Sequence, residues 1–252
     1  RLRFKVYIPA RYSSTRLPGK MLADVCGWPL LRHVYTRALE SGAEEVIIAT
    51  DDDRIFSVAE SFGANVVMTS DQLRSGTDRV EAAARIRGEL TDTIVVNLQG
   101  DEPLMPGAVI RQVAACVANS NCDIATVCEP LAIRHASNPN IVKVARDKNH
   151  NALLFSRSVI PYCRESSADS ESALLTENLY RRHIGIYAYR MNYLSRFVSF
   201  PVAESEKLES LEQLRALYQG SSISVPDALL PCGSGVDTSK QLDALRIKLA
   251  GK

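Results

Sequence analysis

The 252-residue sequence predicts an α/β fold: three layers around a doubly wound, mostly parallel sheet. Three observations lead there. Short segments such as Val46-Ile47-Ile48-Ala49-Thr50 and Ile94-Val95-Val96 are apolar along almost their whole length, so both faces must be covered, as in a parallel sheet. Between them lie stretches with apolar residues at helical spacing, the β-α-β alternation of a doubly wound sheet. After about residue 130 the alternation stops, and strand-like segments follow with little helix between them. That change points to mixed or antiparallel pairing in a smaller elaboration.

The first strand is Phe4-Lys5-Val6-Tyr7-Ile8, a β-branched and aromatic run that Pro9 stops. A polar loop follows to Lys20. From Leu30, the residues Leu31, Val34, Ala38 and Leu39 fall on one helix face, closed by Gly42. The strand 46–50 ends at Asp51-Asp52-Asp53. Ile55, Val58, Ala59 and Phe62 then mark a helix that Gly63 terminates. Val66-Val67-Met68 is a strand, 80–86 a helix, and 94–98 a strand running into a loop that ends at Gly107. Val109, Ile110, Val113, Ala114 and Val117 line a further helix. Segments 124–127, 141–145, 153–155 and 184–189 read as strands, and 166–176 as a mobile polar loop. Leu208, Leu211 and Leu214 are expected on one helix face, and Leu242, Leu245 and Leu249 on another.

Composition narrows the function classes. Thirty Lys and Arg against 29 Asp and Glu leave a net charge of +1, which argues against a nucleic-acid or polyanion partner. No apolar run approaches the length of a membrane span, so no membrane insertion is expected. Arg1-Leu2-Arg3-Phe4 leads straight into a strand, so no signal peptide is expected either. The six cysteines form no C-x-x-C pair, and Cys116, Cys122 and Cys128, six apart without a His among them, do not suggest zinc. They fit free thiols in a reducing cytosol.

Ligands of an open parallel sheet bind at the carboxyl ends of its strands. Directly after the first strand, Arg11, Arg16 and Lys20 put three cations in a loop that also carries Ser13, Ser14 and Thr15. Guanidinium forks, an ammonium and backbone N–H groups suit a polyphosphate. Ser14 and Met21 break the Walker A pattern, and a solvated basic loop is the plain alternative. After strand 94–98 comes Gln99-Gly100-Asp101-Glu102-Pro103, where Asp101 is placed to hold a hard divalent ion or simply to build a turn. Gly233-Ser234-Gly235-Val236-Asp237-Thr238 reads first as a helix start capped by Thr238, and Asp237 gains interest only as a second carboxylate beside Asp101. Ser75-Gly76-Thr77 reads as ordinary helix capping, and His183 as a satisfied polar residue.

Together these segments resemble one family. Ile8-Pro9-Ala10-Arg11-Tyr12 followed by Ser14-Thr15-Arg16-Leu17-Pro18-Gly19-Lys20 is similar to the opening signature of the sugar-acid cytidylyltransferases. Within them it most resembles the 3-deoxy-manno-octulosonate cytidylyltransferase (CMP-Kdo synthetase) family. The likeness continues through Ala49-Thr50-Asp51-Asp52, Ser75-Gly76-Thr77-Asp78-Arg79 and Asn97-Leu98-Gln99-Gly100-Asp101-Glu102-Pro103. It extends through Asn138-Pro139-Asn140-Ile141-Val142-Lys143-Val144, Phe155-Ser156-Arg157, His183-Ile184-Gly185-Ile186-Tyr187, Leu211-Glu212-Gln213-Leu214-Arg215 and Gly235-Val236-Asp237-Thr238.

The resemblance implies a nucleotide-diphospho-sugar transferase-like fold in a single domain, 1–252. Residues 1–130 would form mainly the nucleotide-binding core, 131–230 the sugar-binding and dimerisation part, and 231–252 a return to the core. It implies Mg2+-dependent, in-line attack of the 2-hydroxyl of 3-deoxy-D-manno-octulosonate (Kdo) on the α-phosphate of CTP. The products would be CMP-Kdo and diphosphate, made for lipopolysaccharide biosynthesis. By motif, Arg11, Arg16, Lys20 and Asp101 would be catalytic. Pro9, Ala10, Arg11, Lys20, Ser75, Gly76 and Gln99 would bind CTP. Arg157, His183, Tyr187, Glu212 and Gln213 would bind the sugar, with Arg157 pairing its carboxylate. Asp101 and Asp237 would hold the metal. A cytoplasmic homodimer is implied, with the polar segment 203–210 departing from the family at its dimer surface. The alternatives are another acid sugar, such as 8-amino-Kdo or sialic acid, and a non-catalytic nucleotide-binding module. Keeping both Asp101 and Asp237 with Lys20 argues against the latter.

Overall fold

The computed structural model describes residues 2–14, 16–164 and 180–251, so the loop expected at 166–176 lies outside them. Strands β1 (Lys5–Ala10), β4 (Glu45–Thr50), β5 (Asn65–Met68) and β6 (Ile94–Leu98) pair in parallel, with β1 in the middle of this group. Strand β1 pairs Val6 with Val46 on one side and Val96 on the other. A small hairpin, β2 (Asp24–Val25) and β3 (Trp28–Pro29), stands outside the sheet.

Successive β1 side chains point to opposite faces. Val6 and Ile8 pack with Leu31 and Val34 of helix α1 (Leu30–Leu39) and with Val109 and Val113 of α4 (Gly107–Asn119). Tyr7, between them, packs on the other face with Val80 and Ala83 of α3 (Gly76–Ile86). All these residues are fully buried, as the continuous apolar runs require. Helix α2 (Asp53–Ser61) is capped by Asp52, whose carboxylate accepts from the Arg54 and Ile55 amides. The predicted α/β class and its layers are what the chain adopts.

The later strands are arranged less simply. Strand β10 (Arg181–Arg190) lies between β6 and β7 (Ile124–Pro130), antiparallel to both. Strand β11 (Ile223–Ser224) extends the edge by pairing in parallel with β7. The order is thus β11-β7-β10-β6-β1-β4-β5, with the hairpin of β8 (Lys143–Arg146) and β9 (Ala152–Ser156) attached through β10. The antiparallel strand expected in an outlying elaboration therefore sits in the main sheet, because both of its faces are apolar enough to be covered.

The 131–230 region also holds more helix than its sequence pattern predicts: α5 (Ile133–Ala136), α6 (Met191–Ser199), α7 (Glu204–Glu209) and α8 (Gln213–Tyr218). The face expected from Leu208, Leu211 and Leu214 does not exist. Ser210, with φ 51°, breaks the helix in two, leaving Leu208 86% exposed while Leu211 and Leu214 are buried. The polar segment before the break has a purpose. Glu206 is buried and accepts two hydrogen bonds from Arg215, at 2.9 and 2.6 Å, which lock α7 against α8. The last helix, α9 (Ser239–Ala250), is capped by Thr238 and buries Leu242 and Leu245 against Val25 and Leu30. Among the described residues, no helix is long and apolar enough to cross a membrane.

Candidate active site

Because β1 and β6 are parallel neighbours, the loops that follow them emerge side by side. Gly100 lets them touch: a side chain there would place its Cβ 2.9 Å from the Pro9 carbonyl and 3.0 Å from Met21. Between the loops lies a cavity of about 400 Å³. Pro9, Ala10, Arg11, Lys20, Ser75, Gly76 and Gln99, the residues expected to bind the nucleotide, all line it, and so does Asp101. Ser75 caps α3 by accepting from the Asp78 amide, so this helix begins at the cavity wall, four residues before its apolar periodicity starts.

Lys20 organises one end of the cavity. It follows Gly19, whose φ of 70° suits glycine, and its side chain is almost wholly buried. Its ammonium donates to Asp101 Oδ2 at 2.5 Å, Asp237 Oδ1 at 3.0 Å and the Val236 carbonyl at 3.2 Å. Arg16 reaches the other Asp237 oxygen at 3.0 Å. Two carboxylates 136 residues apart thus meet at one cation, with Asp237 brought in by the loop before α9. Gly235 makes this approach possible, since a Cβ there would lie 2.8 Å from Glu102 Oε1. Burial opposes the Lys20 charge, but Asp101 and Asp237 outweigh it and hold the pKa above the ordinary lysine value. Burial, reinforced by Asp101, pushes the neighbouring Glu102 carboxyl up to about 8, so it is mostly protonated at neutral pH.

Arg79 joins the residues of the cavity wall, a place that its position in the sequence does not announce. It is 1% exposed and lines the cavity. It donates to Asp51 at 2.7 Å and Thr69 Oγ1 at 2.6 Å, while its Nε has no partner. Burial lowers its pKa, against the pull of Asp51 and with the push of nearby Arg11. With Arg11 and Arg74, three arginines therefore line the cavity. The signal was present in the Ser75–Arg79 block, but an Arg in the first turn of a helix reads as surface.

The residues expected to hold a sugar lie beside this cavity along β10 and α8. His183 lies between Phe155, which it meets edge-on, and the tilted ring of Tyr187, at centroid distances of 4.9 and 5.5 Å, and bonds Thr126 Oγ1 through Nε2 at 2.9 Å. Burial holds its pKa down to about 3, so the ring is neutral. Burial, with Glu212 nearby, raises the Tyr187 pKa. Gln213 is buried at the start of α8. Glu212 Oε2 accepts from Thr77 Oγ1 at 2.6 Å, and its Oε1 is buried without a hydrogen-bond partner. Burial raises the Glu212 pKa, opposed by hydrogen bonds from Thr77 and Ser75 and by the charge of Arg215.

Arg157 does not present the free two-pronged fork expected of it. Its Nε donates to the Glu209 carbonyl at 2.6 Å and one terminal nitrogen to the Pro139 carbonyl at 2.9 Å. Its backbone N–H donates to the Glu209 carboxylate at 2.6 Å. The turn at Ser210 carries Glu209 up to Arg157, a proximity that no spacing in the sequence reveals. Beneath it, wholly buried Lys143 donates to the carbonyls of Asn138, Ile141 and Arg157.

Comparison with known proteins fits this arrangement. A family model described as Cytidylyltransferase matches residues 6–223. The chain belongs to the cytidylyltransferase family. This cytidylyltransferase is 51% identical, over 98% of both chains, to the 3-deoxy-manno-octulosonate cytidylyltransferase of Cellvibrio japonicus (strain Ueda107). It is 48% identical to the enzyme of that name from Aeromonas salmonicida (strain A449), over 98% of this chain and 99% of that one. A solved structure of CMP:2-keto-3-deoxy-manno-octonic acid synthetase complexed with CTP superimposes with a TM-score of 0.87. The two share 37% identity over 99% of this chain and 98% of that one.

Proposed function

We propose that this enzyme transfers the cytidylyl group of CTP to the 2-hydroxyl of Kdo, forming CMP-Kdo and diphosphate and so supplying lipopolysaccharide assembly. The observation that carries the reading is the meeting of Lys20, Asp101 and Asp237 at the end of a cavity lined by Arg11 and Arg79. In the reaction the sugar oxygen forms a bond to the α-phosphorus, and the bond from that phosphorus to the bridging oxygen of the diphosphate breaks. The leaving diphosphate takes the electron pair, and the hydroxyl gives its proton to water. Such a displacement asks the protein for position and charge, not for a nucleophile.

Arg11, Arg16 and Lys20 offset the charge of the triphosphate and of the departing diphosphate. Pro9, Ala10, Ser75, Gly76 and Gln99 take the cytosine and its ribose. Tyr187, His183, Glu212 and Gln213 form the sugar side, and Glu212 Oε1, buried 3.7 Å from Arg215 but without a hydrogen-bond partner, suits a sugar hydroxyl. Arg157 supports that side, with its fork engaged by carbonyls.

The donor set also fits Mg2+. Asp101 and Asp237 are oxygen ligands that already share a cation, and no group of three or more His, Cys, Asp and Glu suited to a metal occurs among the described residues. Mg2+ takes one or two protein carboxylates and completes its shell from phosphates and water. When bound, it would supply charge neutralisation at the phosphates and activate the attacking hydroxyl. Diphosphate release from CTP, measured with Kdo, 8-amino-Kdo and sialic acid side by side, tests the assignment. Kdo should be turned over fastest; preference for either other sugar reassigns the acceptor, and no release with any of them leaves a binding module.

We read the protein as a homodimer. Among the described residues, strand β9 pairs only with β8, and Leu153 and Leu154 on it are 63% and 44% exposed. A second copy would cover such an edge. Light scattering should give twice the chain mass, and a monomer at micromolar concentration would refute the dimer.

A further inference from the structure

A chain of hydrogen bonds joins the sugar side of the site to the nucleotide side. The Thr77 hydroxyl, 3% exposed, donates to Glu212 Oε2 at 2.6 Å. Its oxygen accepts from Asn97 Nδ2 at 3.3 Å. Asn97, wholly buried in β6, accepts in turn at Oδ1 from Gln99 Nε2 at 3.0 Å. The Tyr189 hydroxyl of β10 is buried within hydrogen-bond reach of both Thr77 and Asn97, and so joins this chain at its middle.

The polarity of this chain is set at one end. A carboxylate can only accept, so Thr77 commits its single proton to Glu212. Thr77 then offers Asn97 nothing but lone pairs, and Asn97 must turn its NH2 group to it. The Asn97 carbonyl consequently faces Gln99, whose NH2 group fills it. What remains is Gln99 Oε1, which lies beside Gly76 in the cavity, 3.3 Å from where a Cβ on that glycine would stand. The two ends of an amide have nearly the same shape, so packing alone would not choose this orientation.

We propose that Thr77 is a positioning residue: its hydroxyl passes the fixed acceptor polarity of Glu212 through Asn97 to Gln99, so that the cleft always meets a carbonyl oxygen there. That oxygen takes a hydrogen-bond donor from the substrates, either the 4-amino group of cytosine or a hydroxyl of the acid sugar. The inference rests on the reading of this cleft as the CTP and Kdo site.

Two substitutions separate the hydroxyl from the shape. Thr77→Val keeps the shape and loses the hydroxyl, whereas Thr77→Ser keeps the hydroxyl. KM for CTP and for Kdo, and the preference for CTP over UTP, are measured for both variants and for Gln99→Ala. Thr77→Val should raise one KM by about tenfold and leave the other within about twofold, as loss of a buried hydrogen bond implies. Thr77→Ser should stay within about twofold of the parent, and Gln99→Ala should raise the same KM as Thr77→Val. A rise for CTP with weakened rejection of UTP assigns the donor to the base, and a rise for Kdo assigns it to the sugar. If Gln99→Ala raises a KM that Thr77→Val leaves at the parental value, the relay is overturned and the site reading stands. If neither variant changes either KM, Gln99 is no substrate contact and both fail. Should Thr77→Val not accumulate folded, Thr77→Ala is read in the same way.

Discussion

Lys20→Met should lower turnover by about 10²–10³-fold, the usual cost of removing one charge-stabilising donor, while the circular dichroism spectrum stays that of the parent. Lys20 contacts both Asp101 and Asp237 and also faces the cavity. Methionine keeps the length of the stem and removes only the ammonium. The substitution also has a signature apart from activity. Without the ammonium, Asp101 and Asp237 repel each other unless another cation replaces it. Added Mg2+ should therefore raise the melting temperature of Lys20→Met more than that of the parent. Parental turnover would take Lys20 out of the reaction, and equal Mg2+ shifts would mean that the carboxylates do not form a cation site.

Asp101→Asn should remove most of the Mg2+-dependent activity and move the Mg2+ titration to much higher concentration. The expected loss exceeds the ~10–100-fold typical of residues that only support a metal ligand. Asparagine keeps the shape and still accepts a hydrogen bond from Lys20, so the fold should survive. What it loses is half of the carboxylate charge that Asp101 and Asp237 bring together. An unchanged titration midpoint would rule out Asp101 as a ligand. Mg2+ dependence lost without a matching loss of CTP binding would place its effect on the attacking hydroxyl.

Much of this was legible beforehand. The strands buried on both faces announced the parallel core, and the loop from Pro9 to Lys20 lines a cavity at the end of β1. The residues expected to bind the nucleotide line one cavity because parallel neighbours release their loops at the same end. The +1 net charge concealed this, since cations around the cavity are balanced by carboxylates at its end and elsewhere. Arg79 was missed because a buried ion pair with Asp51 looks, in a sequence, like two surface charges. Helical spacing does not carry from Leu208 to Leu211, because Ser210 breaks the helix with a left-handed conformation that apolar spacing does not reveal.

By itself the sequence determined the α/β class, the order of the core elements and the chemical character of the loops. Those properties depend on residues near one another in the chain, through the spacing of apolar side chains and the chemistry of turns. Only the tertiary structure decided that β10 lies between β6 and β7 and that Asp237 reaches Asp101. It also decided that the Arg157 fork is held by carbonyls and that Thr77 links Glu212 to Gln99. Each of these joins residues far apart in the chain, from about 20 to more than 130 positions, and such pairings follow from packing of whole elements, not from any local pattern.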